Sequence, residues 1–319
     1  MSDPTHTAAV QFWDREGAAP THISWMADPA VRAYINRSIS GSPHTWPIDW
    51  FVEWLHGARF ERGVSIGCGT GPLERDLIRR GLCVRIDAFD SSPRSIELAR
   101  DLARQEGVAD RVTYALGDFN DPKLERGAYD IAFFHQSAHH VAKLEKLFSN
   151  VLRALKPDGL VYLDEYVGPS RFDWNDDLIA PHRRFFDRIP REARLVEQLP
   201  LMNEPEDPSE ALRSNEIIAQ LRHGFTILER RDYGGTLLSV IFPYVDWSRA
   251  PTTLVDNVIE AEKELLRSGH PHYHAIVVAA PKRGWPRLYG RIRYFVAPKL
   301  RRIRWEIAKR LSPHRTVKF

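Results

Sequence analysis

The chain has 319 residues, of which 43% are hydrophobic and 27% charged, an ordinary composition for a globular protein with a sizeable core. Two cysteines, Cys68 and Cys83, are too few for a disulfide framework, and no stretch approaches the roughly 18 apolar residues of a membrane span. The start, MSDPTHTAAVQFWDREG, lacks the apolar run of an export signal, so we expect a cytoplasmic protein.

Residues 10–60 are predicted to be helical and to form a lid, with Trp50 and Trp54 at helix spacing. Short apolar strands then alternate with helices. The strands are predicted at 63–67, 84–90, 111–118, 129–135 and 160–167, and the helices near 72–80, 93–106 and 141–155. This alternation predicts a doubly wound α/β fold, in which a parallel sheet is covered on both faces.

The strand and helix rhythm breaks after Pro169. A polar, Arg-rich stretch runs to about Pro208, and a helix is predicted near 209–222. Two late strands at 224–234 and 272–281, separated by a helical insertion, indicate an antiparallel pair that completes the sheet. We therefore expect three parts: a lid over 1–60, a main domain over 61–281 with helical insertions at about 170–222 and 236–270, and a basic tail over 282–319.

A glycine-rich turn follows the first predicted strand. In GVSIGCGTGPLERDL, an apolar strand runs into Gly67, Cys68, Gly69 and Gly71 and then into a helix. Glycines at such a turn let the backbone approach a ligand, and the helix N-terminus adds partial positive charge. The spacing is GxGxG, and Pro72 stands where the GxGxxG motif of dinucleotide-binding proteins requires a glycine. A nicotinamide cofactor is therefore the weaker alternative.

The next strand ends supply further polar groups. Asp90, with Ser91 beside it, ends the second strand, where a carboxylate can accept both ribose hydroxyl protons. Asp118 and Phe119 end the third strand, where an acid can accept from an adenine amino group and a ring can stack. His135 ends the fourth strand and is expected to adjoin the same ligand.

The chain resembles the class I S-adenosylmethionine-dependent methyltransferases over roughly residues 60–281. The matching segments, in chain order, are IGCGTG, FDSSPRSIELAR, GDFN, YDIAFFHQSAHHV and LKPDGLVYLDEY. The resemblance implies a seven-stranded sheet of order 3-2-1-4-5-7-6 with the last strand antiparallel, and S-adenosylmethionine as cofactor. It also implies that Gly67 and Gly69 line the methionine part, Asp90 the ribose and Asp118 the adenine.

Methyl transfer depends mainly on orientation and exclusion of water, and a hydroxyl acceptor also needs a base. The predicted catalytic residues are His139, His140 and Glu165, which follow strands four and five; His135 and Asp164 lie there too. The alternative for His140 is packing at the start of the next helix. No fixed ligand spacing predicts a metal site.

The segment EYVGPSRFDW after strand five, with DPSEALRS and RRDYGGTL, resembles a bacterial methyltransferase subgroup associated with glycan pathways. Tyr166, Arg171, Trp174 and Arg213 have the polar and aromatic character of a carbohydrate pocket, so we expect them to bind substrate. The alternative is that the arginines lie on the surface and the tryptophan in the core.

The basic charge is concentrated in the tail. Residues 282–319 hold 13 of the 45 Lys and Arg residues and one acid, which leaves 32 bases and 41 acids in the rest of the chain. The spacing of residues 288–311 predicts a basic amphipathic helix, which is typical of an anchor on anionic lipid. Docking on the protein's own acidic body and RNA binding are the alternatives. A nucleic-acid substrate is disfavoured, because HQSAHH lacks the Asn- or Asp-Pro-Pro-Tyr segment of amino-directed base methylases.

These observations predict an O-methyltransferase that acts on a sugar hydroxyl of a glycan or lipid-linked saccharide, at the inner face of a membrane. One alternative acceptor is a lipid, quinone or secondary metabolite. An alternative of another class is a non-catalytic protein that binds the cofactor and regulates through its basic tail.

Overall fold

The computed structural model describes residues 4–16 and 24–282, so the tail segment 288–311 lies outside the described residues. Its centre is a seven-stranded sheet of order β3-β2-β1-β4-β5-β7-β6. The strands are β1 (Phe60–Ile66), β2 (Cys83–Asp90), β3 (Val112–Leu116), β4 (Tyr129–His135), β5 (Leu155–Tyr166), β6 (Phe225–Asp232) and β7 (His274–Pro281). Strands β1 to β5 pair in parallel, whereas β7 is antiparallel to both of its neighbours. The predicted strand order and the antiparallel last strand are confirmed.

Ten α-helices surround the sheet in the described part of the chain. They are α1 (Pro4–Glu16), α2 (Pro29–Ser40), α3 (Pro47–Trp54), α4 (Pro72–Arg79), α5 (Pro93–Gln105), α6 (Leu144–Ala154), α7 (Asp176–Phe186), α8 (Ile217–Gly224), α9 (Leu238–Ile241) and α10 (Leu254–Arg267). One core cluster joins Val64, Ala132, Val161 and Val277 of the central strands to Leu147 of α6. The central strands are buried, which explains their near-continuous apolar sequences. No helix among the described residues is long and apolar enough to span a membrane.

Both predicted insertions contain helices. Helix α7 lies in the insertion predicted at about 170–222 and begins where the Asn175 side chain accepts the N–H of Leu178 at 2.9 Å, with Asp176 and Asp177 in the first turn. The insertion predicted as helical over 236–269 is interrupted between α9 and α10.

Helix α1 crosses the carboxyl ends of the strands. Its Asp14 carboxylate accepts from Ser92 Oγ at 2.7 Å and from the N–H of Arg94. Its Trp13 Nε1 donates to Asp207 at 3.0 Å. These contacts tie α1 to the start of α5 and to the loop before α8, directly beside the glycine-rich turn. In a parallel sheet, ligands bind at this edge.

Candidate active site

The glycine-rich turn joins β1 to α4 and needs its glycines for two reasons. Gly67 and Gly71 both have a φ of +76° and pack tightly: a Cβ on Gly67 would lie 2.3 Å from Ser137 Cβ, and one on Gly71 would lie 2.3 Å from Tyr114 Oη. Gly69 instead borders open space, with no atom within 4 Å of its would-be Cβ. The outer glycines therefore permit packing, and the middle one presents backbone to a cavity.

Asp90 braces this turn. Its Oδ2 accepts the N–H of Gly69 at 2.8 Å and its Oδ1 accepts the N–H of Ser92 at 2.9 Å. The carboxylate is 8% exposed, and burial raises its pKa although both amides oppose that change. The end of β2 thus fixes the glycine turn and brings a carboxylate to the cavity.

A cavity of about 310 Å³, the glycine-loop cavity, lies on this turn. Of the residues predicted to bind the cofactor, those that line it are Gly67, Cys68, Gly69, Asp90, Ser91, Phe119 and His135. Gly71 is not among the lining residues, and the exposed Asp118 instead accepts the N–H of Asn120 at 2.8 Å. Trp13 also lines the cavity; the sequence prediction missed it, because a single aromatic residue in a short helix gives no signal.

A larger cavity of about 890 Å³ lies between the sheet edge and the N-terminal helices, and we call it the α2 cavity. Most of its lining is apolar, including Met26, Ala33, Ile35, Trp46, Ile48 and Leu73. His135 and Gln136 line both the α2 cavity and the glycine-loop cavity. The two cavities therefore meet at the end of β4.

Polar groups gather at this junction. Asp164, buried at the end of β5, accepts the hydroxyl of Tyr233 at 2.5 Å and lies 3.8 Å from Nε2 of His135. Burial raises the pKa of Asp164, opposed by His135 and Tyr233. Gln136 has a φ of +52°, which is rare outside glycine, and its N–H donates to the Asp164 carbonyl at 2.8 Å.

The side chains of Glu165 and Asp164 lie on opposite faces of the sheet, as the alternation of side chains along a strand predicts. Its Oε1 accepts the N–H groups of Ser137 and Ala138, both at 2.7 Å, and its Oε2 lies 2.9 Å from Nδ1 of His139. Burial acts to raise its pKa, but the His139 contact and the two amides outweigh burial and lower it. Glu165 therefore holds the loop after β4 and is not among the residues that line the glycine-loop cavity.

The two adjacent histidines both lie near Glu210, and each also has a partner of its own. Burial opposes a charged His139 ring, but Glu210 and Glu165 outweigh burial and raise the pKa of His139 to about 9. The Nδ1 of His140 lies 3.1 Å from Asp207 and 3.2 Å from the hydroxyl of Ser209. Only the His140 ring lines the glycine-loop cavity.

The four predicted substrate residues separate into two pairs. Tyr166 and Trp174 line a third cavity of about 300 Å³, the Trp174 cavity, which also reaches Gln136. Arg171 instead donates to the Pro208 carbonyl and stacks over Phe172. Arg213 forms ion pairs on the surface with Glu145 and Glu216. Neither Arg171 nor Arg213 lines any of the three cavities.

The lid tryptophans also have structural contacts. Trp50 is buried beneath the guanidinium of Arg231, and the Trp54 ring stacks on Phe51. Neither lines the α2 cavity or the glycine-loop cavity. Their contacts agree with packing rather than substrate stacking.

Residues 64–163 match a protein-family model described as a methyltransferase domain. The sterol 24-C-methyltransferase of Saccharomyces cerevisiae is 26% identical over 160 residues, which are 49% of this chain and 40% of the relative. That of Clavispora lusitaniae is 27% identical over 116 residues, 36% of this chain and 31% of the relative. The chain thus spans less than half the length of these curated relatives.

Solved structures share the fold across most of the chain. The geranyl diphosphate C-methyltransferase of Streptomyces coelicolor A3(2), solved with Mg2+, geranyl diphosphate and S-adenosyl-L-homocysteine, has a TM-score of 0.52 at 19% identity and covers 88% of this chain and 98% of its own. The cyclase SpnF has a TM-score of 0.51 at 19% identity, with coverage of 89% and 99%. Residues 64–163 thus match a methyltransferase domain, and the sheet has the strand order expected of that fold.

Proposed function

We propose that the protein transfers the methyl group of S-adenosylmethionine to a small, largely apolar acceptor held in the α2 cavity. The observation that carries this proposal is the contact between the two cavities at His135 and Gln136. A cavity with a mostly apolar lining and a few polar groups suits an apolar molecule with one reacting group. The names of the relatives, which are sterol and geranyl diphosphate methyltransferases, point to acceptors of this kind.

The residues of the glycine-loop cavity fit the cofactor. Gly69 leaves its backbone facing open space, where any other side chain would intrude. Asp90 brings a buried carboxylate, and Phe119 brings a ring. Bound there, the cofactor supplies an electrophilic methyl group, and the protein's part is to orient the acceptor and exclude water.

For a hydroxyl acceptor, we propose His135 as the proton acceptor and Asp164 as its positioning residue. His135 lies where the cavities meet, with half of its ring exposed. Oδ2 of Asp164 lies 3.8 Å from Nε2 of this ring, and this is the contact that would orient it. The originally predicted His139 and Glu165 contact each other and do not line either of these two cavities.

An acceptor screen on two matched variants tests the acceptor site. Ala33→Trp fills the α2 cavity, and Leu201→Trp fills the Trp174 cavity. We expect Ala33→Trp to lower kcat/KM for an apolar acceptor at least about tenfold while S-adenosylhomocysteine binding is kept, and Leu201→Trp to retain activity. Equal activity of wild type and Ala33→Trp would refute the α2 cavity as the acceptor site.

The second candidate acceptor is the predicted sugar hydroxyl. The Trp174 cavity favours it, because Tyr166, Trp174 and Glu210 give a polar and aromatic lining next to Gln136. This candidate predicts the reverse pattern: methylated saccharide in the screen, and activity that falls in Leu201→Trp but not in Ala33→Trp. A non-catalytic regulatory protein would instead bind the cofactor and methylate no acceptor.

We also propose that residues 288–311 bring a cytoplasmic enzyme to an anionic membrane surface. Their charge and apolar spacing support this proposal. The full chain should sediment with vesicles that contain phosphatidylserine, and deletion of 285–319 should abolish sedimentation while cofactor binding persists. Binding that survives the deletion would contradict it.

A further inference from the structure

We propose that His139, His140 and Glu210 form a binding site for a divalent transition-metal cation beside the glycine-loop cavity. One ligand atom of each residue lies within 4.8 Å of the other two. The histidines come from the 3₁₀ turn Ala138–His140 after β4, and the carboxylate comes from the loop before α8. The chain order hides this cluster, because its third ligand is remote in sequence.

The distances in this cluster are close to those of a metal shell. Oε2 of Glu210 lies 3.7 Å from Nε2 of His139 and 3.8 Å from Nδ1 of His140. These separations are too long for hydrogen bonds. Two ligands at about 2.1 Å from a tetrahedral ion lie roughly 3.4 Å apart, so Glu210 needs to move only a few tenths of an ångström relative to each ring. The Glu210 side chain is 39% exposed and has room to make that shift.

The orientation of His139 favours this use of its free nitrogen. Its Nδ1 lies 2.9 Å from Oε2 of Glu165, whose other oxygen already accepts two backbone amides. Nδ1 therefore donates, and Nε2 faces Glu210. A histidine whose second nitrogen donates to a carboxylate is the common arrangement around protein-bound metals.

The charges around the cluster also favour the binding of a cation. Three carboxylates surround the two rings, and two of them are nearly inaccessible: Glu165 is 0% exposed and Asp207 is 5% exposed. Within the described residues, no lysine or arginine pairs with Glu165, Asp207 or Glu210. The three carboxylates therefore give the cluster negative surroundings, which favour a bound cation.

The donor set selects the class of ion. Two imidazoles and a carboxylate suit zinc, iron, cobalt or nickel, whereas magnesium and calcium prefer oxygen ligands. Asp207, with Oδ2 3.1 Å from Nδ1 of His140, is placed as a fourth ligand. The ion would lie between the glycine-loop cavity, which His140 lines, and the Trp174 cavity, which His139 and Glu210 line.

Zinc binding by the full, metal-free chain tests this site. Calorimetry with zinc chloride should give one site per chain, and Glu210→Gln should weaken binding at least tenfold, with His140→Ala as a second ligand variant. Glu204→Gln is the matched control, because Glu204 lines the same Trp174 cavity but lies outside the cluster, and it should bind zinc as the wild type does. Cobalt(II) should give a visible absorption band with wild type that both ligand variants lose.

Circular dichroism checks that each variant folds. The site is overturned if the folded wild type binds no zinc, or if Glu210→Gln and His140→Ala both bind zinc as tightly as the wild type. In either case the cluster is an ion-pair group in which a protonated His139 bridges Glu165 and Glu210.

Discussion

Replacing Glu165 by Gln separates a structural role from a catalytic one. Glu165 is fully buried and holds two backbone amides and the ring of His139. Its pKa is lowered even though burial acts to raise it, so these contacts stabilise the carboxylate by more than burial costs. Removing the charge should therefore destabilise the fold.

The size of the effect follows from the three contacts. A hydrogen bond to a charged group contributes about 1.5 to 3 kcal/mol, and a neutral one about 0.5 to 1.5 kcal/mol. Loss of about 1 kcal/mol at each contact predicts that Glu165→Gln lowers the free energy of unfolding by about 3 kcal/mol. For a protein of this size that corresponds to roughly 5 °C in Tm. Glu165→Ala, which leaves all three donors unpaired, should cost more.

Urea unfolding, followed by circular dichroism, measures this loss. Glu61→Gln is the control, because Glu61 is exposed and its ion pair with the exposed Arg85, at 3.6 Å, is weak. This substitution should change the free energy of unfolding by less than about 0.5 kcal/mol. The reasoning is refuted if Glu165→Gln unfolds together with the wild type. A loss of turnover at unchanged stability would make Glu165 a base rather than a positioning residue.

Two further variants test the burial of Asp164 and the packing of Gly71. The pKa of the neighbouring Asp164 is raised above its ordinary value of 3.8, so the folded state binds this proton more tightly and the wild type loses stability as pH rises through that range. The Tm of Asp164→Asn should therefore exceed that of the wild type at neutral pH by a margin that disappears in acid; a constant or inverted margin in a Tm series would contradict this. Gly71→Ala should lose stability and S-adenosylhomocysteine binding, because its Cβ would lie 2.3 Å from Tyr114 Oη, whereas Gly41→Ala meets no atom within 4 Å and should cost only about 1 kcal/mol. Calorimetry and urea unfolding measure both, and equal losses in the two glycine variants would contradict the packing argument.

The sheet was predictable because its signals are local. Buried parallel strands are continuous apolar runs, and the glycine turn and Asp90 follow their strands directly. The bounds of helix α7 were not predicted within its insertion, because its start depends on the Asn175 cap rather than on apolar periodicity.

The chemistry around the cavities was less accessible from sequence. Glu165 was predicted as a base because it ends β5, but its partners Ser137 and His139 come from another strand's loop. Arg213 was predicted to bind substrate from its residue type, yet two nearby carboxylates occupy it. The metal cluster depends on Glu210, whose approach to the histidines is set by tertiary structure alone.

Calorimetry tests whether the glycine-loop cavity binds S-adenosylmethionine. The titrations use S-adenosylmethionine and S-adenosylhomocysteine with the wild type and with Asp90→Ala. Asp90 braces Gly69 and lines the glycine-loop cavity, so its loss should weaken binding by about 1 to 3 kcal/mol. The exposed Asp110→Ala is the control and should bind as the wild type does. Micromolar binding that Asp90→Ala weakens is the predicted result, and a folded wild type that binds neither molecule would contradict the account.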